Sequence, residues 1–571
     1  MKEDIAKLLS KQIKGLKEKE ILETLEVPKE IELGDFAFPC FKLAGIFKKN
    51  PVEIAKQIVK ELESKTNKDI EKIEAKGPYI NFFVNKKQSF ESILSIDENY
   101  GKSEEGKNKK VLVDFSGPNI GKPMHVGHIR STILGDSILR TYDFLGYKTI
   151  GINYMGDIGL HIGKLIVAWE LWLNKEALKK DPVKELLRLY VKFCENEKSE
   201  FSEGEDSSEG YENNEWTNKA KEKLKLIELG DKKAHQIWKN IRESSGKGFD
   251  KVYKILDVNF TETTGQSHFS DKGKALITEA LKKGIGKTES DGAVYMEFPE
   301  TNLPKKFILR SNGTASYMTQ DIGASVERFK KYAFDKMIYV TDYRQKMHFQ
   351  QLFEILKKFG QNFYSKCEHV GFGTVNFGKE IMATREGKIV LLEDVLKKTI
   401  EKADKEIKKR KTKGDSEKLG VGAIKYIILR NEPVKDVEFS WDAALNFEGD
   451  SGPYIQYAYA RASSIIKKAS KIKITKTKKI EIPEKLEEKE IELAKKIQDF
   501  PGVVKKASEQ LNPALIANYS FTLAQIFNEF YHSCKVIDSD NPQFRLALVN
   551  SFRITIKNAL YLLGIEVMEE M

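Results

Sequence analysis

Apolar positions recur at helical spacing in the opening segment, at Ile5, Leu8, Leu9, Ile13, Leu16, Ile21 and Leu22, and predict one helix over 5–25. A second amphipathic helix is predicted over 51–62, with Pro51 suited to its first turn. Residues 77–84, GPYINFFV, alternate like a strand leaving a turn. The pattern changes at Val111-Leu112-Val113, a short apolar run followed by the polar turn Ser116-Gly117-Pro118-Asn119. Helical spacing resumes at Ile129, Ile133, Leu134, Ile138, Tyr142 and Leu145, and Gly146 stands where a helix is often closed. Thr149-Ile150-Gly151-Ile152 returns to strand character. Strand, turn, helix, strand is a βαβ unit, and open α/β sheets bind ligands at the carboxyl ends of their strands. Towards the carboxyl end, helical periodicity over 485–511, 513–535 and 542–563 predicts an α-bundle.

At 571 residues the chain is too long for one core. The predicted fold class is α/β: a Rossmann-type parallel-sheet domain, an α+β amino-terminal domain and an all-α carboxyl-terminal bundle. Boundaries are drawn at 1–105, 106–375, 376–435 and 436–571. The acidic, polar stretch near 195–220 is expected as a flexible insert on the surface. With 40% hydrophobic and 32% charged residues the composition is that of a globular protein. The net charge of +11 is compatible with a polyanionic partner without requiring one. Four widely separated cysteines offer neither a disulfide framework nor a zinc site, and no metal site is expected. The charged start lacks a signal-peptide core, and no run has membrane-spanning length, so a cytoplasmic location without membrane contact is expected.

The first candidate chemistry lies in His125-Val126-Gly127-His128. Two histidines three apart at the start of a helix point the same way, where free N–H groups and the helix dipole attract phosphate. Gly127 lets a nucleotide approach the backbone. The plain alternative is that the histidines cap the helix. A second candidate lies in 307–323, FILRSNGTASYMTQDIG, where Tyr317 and Asp321 are four apart and share a face if the segment is helical. A carboxylate beside an aromatic ring suits a guanidinium, a planar fork of donors.

The stretch SGPNIGKPMHVGHIRSTILGD resembles the nucleotide-binding signature of class I aminoacyl-tRNA synthetases, and Asn119, Lys122, Pro123 and Arg130-Ser131-Thr132 resemble the arginyl-tRNA synthetases in particular. GDFAFP at 34–39, GPYINF at 77–82, RSNGTASYMTQDI at 310–322 and YLLGIEVMEEM at 561–571 extend the resemblance over most of the chain. It implies activation of L-arginine with ATP and Mg²⁺ to arginyl-adenylate, then transfer to the 3′-terminal ribose of tRNA(Arg), with no tightly bound cofactor. It also implies that tRNA must be present before arginine is activated. Lys122, His125 and His128 become the implied catalytic residues. Ser116, Gly127, Met382 and Arg385 join the histidines on ATP, and Asp114, Asn119, Tyr317, Asp321 and Gln345 on arginine, with His348 close by. Asn81, Tyr457 and Tyr531 are the implied tRNA contacts, and a monomer is expected.

Two departures stand out. The mobile loop that carries two lysines in this family reads Ile381-Met382-Ala383-Thr384-Arg385 here, with Lys122 upstream of the histidines as the expected compensation. Gln266 replaces a glutamate of the family's F-x-x-x-x-G-E-S stretch. Two rival readings follow: a synthetase for another amino acid, which the absence of zinc ligands and of an editing insertion opposes, and an inactive RNA-binding relative.

Overall fold

The computed structural model describes all residues except 1, 14, 29, 31–32, 63–69, 200–213, 377–390 and 473–479. The chain packs as two compact units.

One unit comprises 1–97, 469–498 and 533–551. Its three-stranded antiparallel sheet is formed by β1 (Phe36–Pro39), β2 (Ile70–Lys76) and β3 (Tyr79–Val84), with β3 central. The helix predicted over 5–25 is two helices, Lys2–Ser10 and Glu18–Thr24. Gly15 between them has φ +106°, a conformation that breaks a helix and that glycine reaches without penalty. Ile5, Leu9, Ile21, Ile54, Ile58 and Leu62 close over Phe38 and Phe82 of the sheet. Asn81 lies on the central strand, paired with Ala37 and Glu74, and is only 3% exposed. The residue expected to contact RNA is thus a buried polar side chain within the sheet.

The other unit comprises 98–468, 499–532 and 552–571. Its strands are β4 (Lys110–Asp114), β5 (Lys148–Met155) and β6 (Glu262–Gly265), then an antiparallel sheet of β7 (Lys287–Thr288), β8 (Val294–Phe298) and β9 (Leu303–Leu309), then β10 (Lys336–Asp342) and β11 (Cys367–Phe372). The main sheet is wholly parallel in the order β11-β10-β4-β5-β6. The chain runs outward from β4 through β5 to β6, then returns to β4's other side at β10. The order reverses at β4, and a crevice opens at such a switch point, beyond the carboxyl ends of the strands. Leu112, Ile150, Ile152, Met337 and Tyr339 form the core beneath it, covered by Ile322 and Phe349 from flanking helices.

The helix Val126–Phe144 follows β4 and is buried along most of its length, including Ile129, Ile133, Leu134 and Ile138. The polar stretch expected as a loose insert is helical at both described ends, Pro182–Ser199 and Glu215–Glu228. Glu197 is 4% exposed and binds Lys164 (2.5 Å) and the Thr217 hydroxyl (2.7 Å), and Trp216 stacks on Trp172. The ion pair, the hydroxyl bond and the ring stack tie down ends that composition makes look solvated. The helix predicted over 485–511 divides into Glu488–Gln498 and Phe500–Glu509, with Pro501 in the first turn of the second. Among the described residues no helix is long and apolar enough to cross a membrane.

Candidate active site

His125 is the N-cap of the helix Val126–Phe144, and its Nδ1 accepts the Gly127 N–H at 3.0 Å. The His125 N–H in turn donates to Nδ1 of His128 at 3.2 Å, and the two rings lie 4.0 Å apart. The two imidazoles thus cap the helix together. A neutral imidazole that accepts on Nδ1 carries its proton on Nε2, so the capping bonds select the tautomer that presents N–H donors away from the backbone. Burial, with Lys122 nearby, pushes the His125 pKa down, and burial, with His125, pushes His128 down to about 3. Both rings are neutral donors at physiological pH. A Cβ on Gly127 would lie 2.8 Å from the His125 ring, so glycine here keeps that ring in place.

Lys122 stands beside them with its ammonium 4.7 Å from the centre of the Tyr190 ring. Burial lowers its pKa, as does Lys164 to a smaller extent. Ser116 is 8% exposed and sits at φ +71° in the turn after β4. Its hydroxyl bonds Tyr253 (2.8 Å) and accepts from Thr132 (2.9 Å), so it braces the turn and is committed there rather than left for ATP. Met382 and Arg385 lie outside the described residues. The chain on either side of 377–390 is tied to the histidine helix. Arg130, 1% exposed, donates to the carbonyls of Thr374 and Glu432, and the Leu392 N–H donates to the Met124 carbonyl.

Tyr317–Tyr332 is helical, which places Tyr317 and Asp321 one turn apart. Asp321 Oδ2 lies 2.6 Å from Nε2 of His348. Tyr317 is 55% exposed. Gln345 is exposed at the end of the short turn that follows β10. Asn119 bridges to Gly156, where a Cβ would come within 1.9 Å of the Asn119 Oδ1, so glycine is what admits this side chain. Asp114 is 7% exposed and binds Arg328 at 2.7 Å. Burial raises the Asp114 pKa while Arg328 draws it down, and the charge of Asp114 raises the Arg328 pKa against burial. The Asp114 carboxylate expected at the arginine site thus already has a guanidinium partner within the fold.

Sequence reasoning passed over Asp157, His161 and Arg328. Asp157 is fully buried and accepts the Ser267 N–H and hydroxyl, both at 2.8 Å, joining the turn after β5 to the turn after β6. The signal was present in GDIGLHIG, where a histidine follows the turn at the start of a helix. Away from the cleft, the Arg461 guanidinium sits between the Tyr457 and Tyr531 rings, 4.8 and 5.0 Å from their centres, and donates to Asn528.

Residues 89–441 match the family model described as tRNA synthetases class I (R), catalytic domain. Residues 455–571 match the DALR anticodon binding domain and residues 1–84 the arginyl tRNA synthetase N terminal domain. The chain is 37% identical over 581 residues to the arginine–tRNA ligase of Alkaliphilus metalliredigens, covering 100% of this chain and 99% of the relative. The chain belongs to the arginyl-tRNA synthetases. The arginine–tRNA ligase of Halothermothrix orenii is 39% identical over 582 residues, again with 100% and 99% covered. The arginyl-tRNA synthetase structure from Plasmodium falciparum superposes with TM-score 0.77 at 27% identity, over 100% and 98% of the chains. The Thermus thermophilus arginyl-tRNA synthetase shares the fold, with TM-score 0.81 at 23% identity over 100% and 99%.

Proposed function

We propose that this synthetase activates L-arginine and charges tRNA(Arg) at the single crevice above β4, with its phosphate end at Lys122, His125 and His128 and its arginine end at Asp321. A carboxylate oxygen of arginine attacks the α-phosphorus of ATP. The bond from that phosphorus to the bridging oxygen breaks, and pyrophosphate leaves with the electron pair. The 3′-terminal ribose hydroxyl of tRNA then attacks the activated carbonyl, and AMP leaves with the bonding electron pair, the hydroxyl proton passing to its phosphate. No side chain becomes covalent, and catalysis is positioning and charge stabilisation. The Nε2–H donors of the histidines and the Lys122 ammonium suit the α-phosphate and the leaving pyrophosphate. Mg²⁺ enters with ATP as part of the substrate. Among the described residues no cluster of three or more His, Cys, Asp or Glu side chains could hold a metal.

At the other end Asp321 accepts the guanidinium, Tyr317 lies along it, and Asn119 and Gln345 flank it. Tyr457 and Tyr531, braced by Arg461, are proposed to meet tRNA through their rings. A cytoplasmic monomer that requires tRNA for activation completes the reading. The carrying observation is the pair of capped, neutral histidines at a helix N-terminus on the same sheet edge as the Asp321–His348 pair. ATP–pyrophosphate exchange with each amino acid, with and without tRNA(Arg), tests it. Exchange only with arginine is expected. No exchange even with tRNA would leave an RNA-binding relative. Lys122→Ala should reduce exchange by about 10²-fold or more, as for a lost transition-state contact, and near-normal activity would remove Lys122 from the site.

A further inference from the structure

Lys122 is a half-buried cation held by something other than an acid. Among the described residues no carboxylate pairs with it, burial strips its ammonium of water, and Lys164 nearby opposes its charge. What holds it is a ring, since the ammonium lies 4.7 Å from the centre of the Tyr190 ring. The face of an aromatic ring attracts a cation without cancelling its charge. A lysine held in this way keeps its charge for an anionic ligand, whereas pairing with a carboxylate neutralises it. The neighbouring lysine shows the alternative. Lys164 is bound to Glu197 at 2.5 Å, and Glu197 also accepts from the Thr217 hydroxyl at 2.7 Å. Tyr190, Phe193 and Glu197 stand at i, i+3 and i+7 of the helix Pro182–Ser199, on one face. That face sorts two lysines. Its acid takes Lys164, whose Nζ also lies 5.6 Å from the centre of the Phe193 ring, and its tyrosine takes Lys122. The backbone of Lys122 is fixed on both sides. Gly121 has φ +77°, its N–H donates to the Ser245 hydroxyl at 2.8 Å, and a Cβ there would lie 2.0 Å from Leu165 Cδ1. Pro123 narrows the conformations open to the residue before it. What stays free is the long stem, and the ring limits where its end can go. The Lys122 charge is felt at His125, so this seat lies beside the capped histidine.

We propose that Tyr190 is a positioning residue whose ring seats the Lys122 ammonium, still charged, where the α-phosphate of ATP and the leaving pyrophosphate gather negative charge. Tyr190 touches neither substrate and moves no proton; it acts through Lys122. The seat matters most in a chain whose loop Ile381-Met382-Ala383-Thr384-Arg385 brings no lysine of its own. A lysine left among its many rotamers must be ordered at each turnover, and one already seated is not. This rests on the function proposed above.

The full chain tests it in arginine-dependent ATP–pyrophosphate exchange with tRNA(Arg) present. Tyr190→Phe keeps the ring and should stay within about two-fold of the parent in kcat. Tyr190→Leu fills the space without a π face and should lose about ten-fold in kcat, with KM for arginine within about two-fold of the parent. In the Lys122→Ala background the same Tyr190→Leu change should cost less than about two-fold more, because the group it seats is gone. A merely structural loss would lower activity equally in both backgrounds, and that additivity would overturn the proposal. Pentafluorophenylalanine at position 190 keeps the shape of phenylalanine and reverses the sign of charge on the ring face. It should lose about ten-fold relative to Tyr190→Phe. This pair reads the ring's electrostatics even where the leucine variant fails to fold, and equal activity of the two would overturn the seat. Exchange absent from the parent would overturn the function itself, and near-normal exchange by Lys122→Ala would take Lys122 out of the site. Both outcomes are distinct from a failure of Tyr190 alone.

Discussion

At the proposed phosphate end of the crevice the polar groups are donors. His125 and His128 are held uncharged by burial, and their tautomers are chosen by the backbone N–H groups they cap. At the proposed arginine end the key group is an acceptor, Asp321, with its carboxylate held by His348 from a different helix. The first end is built within the seven consecutive residues 122–128. The second is built from residues 27 apart in sequence that meet only once β10 lies beside β4. The difference teaches that recognising a triphosphate needs little more than a helix start, whereas recognising a guanidinium needs an acid whose partner must be brought in from elsewhere. Asp114 sharpens the point. It is an acid at the carboxyl end of β4, already paired with Arg328 at 2.7 Å, which leaves Asp321 as the proposed partner of the guanidinium.

The comparison breaks most easily at Asp321. Asp321→Asn should lower kcat/KM for arginine by about 10³-fold, equivalent to about 4 kcal/mol, the scale seen when one partner of a desolvated charge pair is removed. ATP affinity, measured by direct titration, should not move. A loss below ten-fold would mean that the guanidinium is bound elsewhere. The reverse experiment at the phosphate end, Lys122→Ala, should leave arginine affinity intact.

His348 gives a smaller effect. It is argued to orient Asp321 rather than to touch ATP, so His348→Ala should raise the arginine KM by about ten-fold, in line with about 1.5 kcal/mol for a hydrogen bond to a charged group. The KM for ATP should stay put. An unchanged arginine KM would show that the contact at 2.6 Å is incidental to binding.

The sequence made the phosphate end legible because a strand, a turn and a helix in direct succession leave little choice of where residues 125 and 128 stand. Periodicity also put Tyr317 and Asp321 on one helical face. It could not say which acids were already paired. Asp114 and Asp321 look alike in a linear sequence, and only the fold brings Arg328 to one and His348 to the other. Nor could alternation in 79–84 reveal that Asn81 occupies the covered central strand, or that the hydroxyl of Ser116 would meet Tyr253, 137 residues away. Tyr190 was missed because a lone tyrosine in an amphipathic helix reads as core until its neighbours are known.

The smallest expected effect concerns charge rather than contact. His128, His161 and His369 are pushed down to about 3, 4 and 4, each first by burial. Each has a lower pKa folded than unfolded, so the unfolded chain binds more protons as pH falls below about 6.5. The stability they confer is therefore complete above that value and is lost as pH drops towards the folded values. The parent's Tm should be level from pH 8 to about 7 and decline by several degrees by about pH 5. His369 provides the control, since it stacks on Phe349 and bonds the Thr341 hydroxyl, and is absent from the reaction proposed above. His369→Gln should lower Tm at pH 7 yet flatten its decline, because one of the linked protons is gone. A decline as steep as the parent's would place the acid sensitivity in the carboxylates instead. In that case the histidines at the phosphate end would not be held neutral by the fold, and the contrast between the two ends of the crevice would lose its electrostatic half.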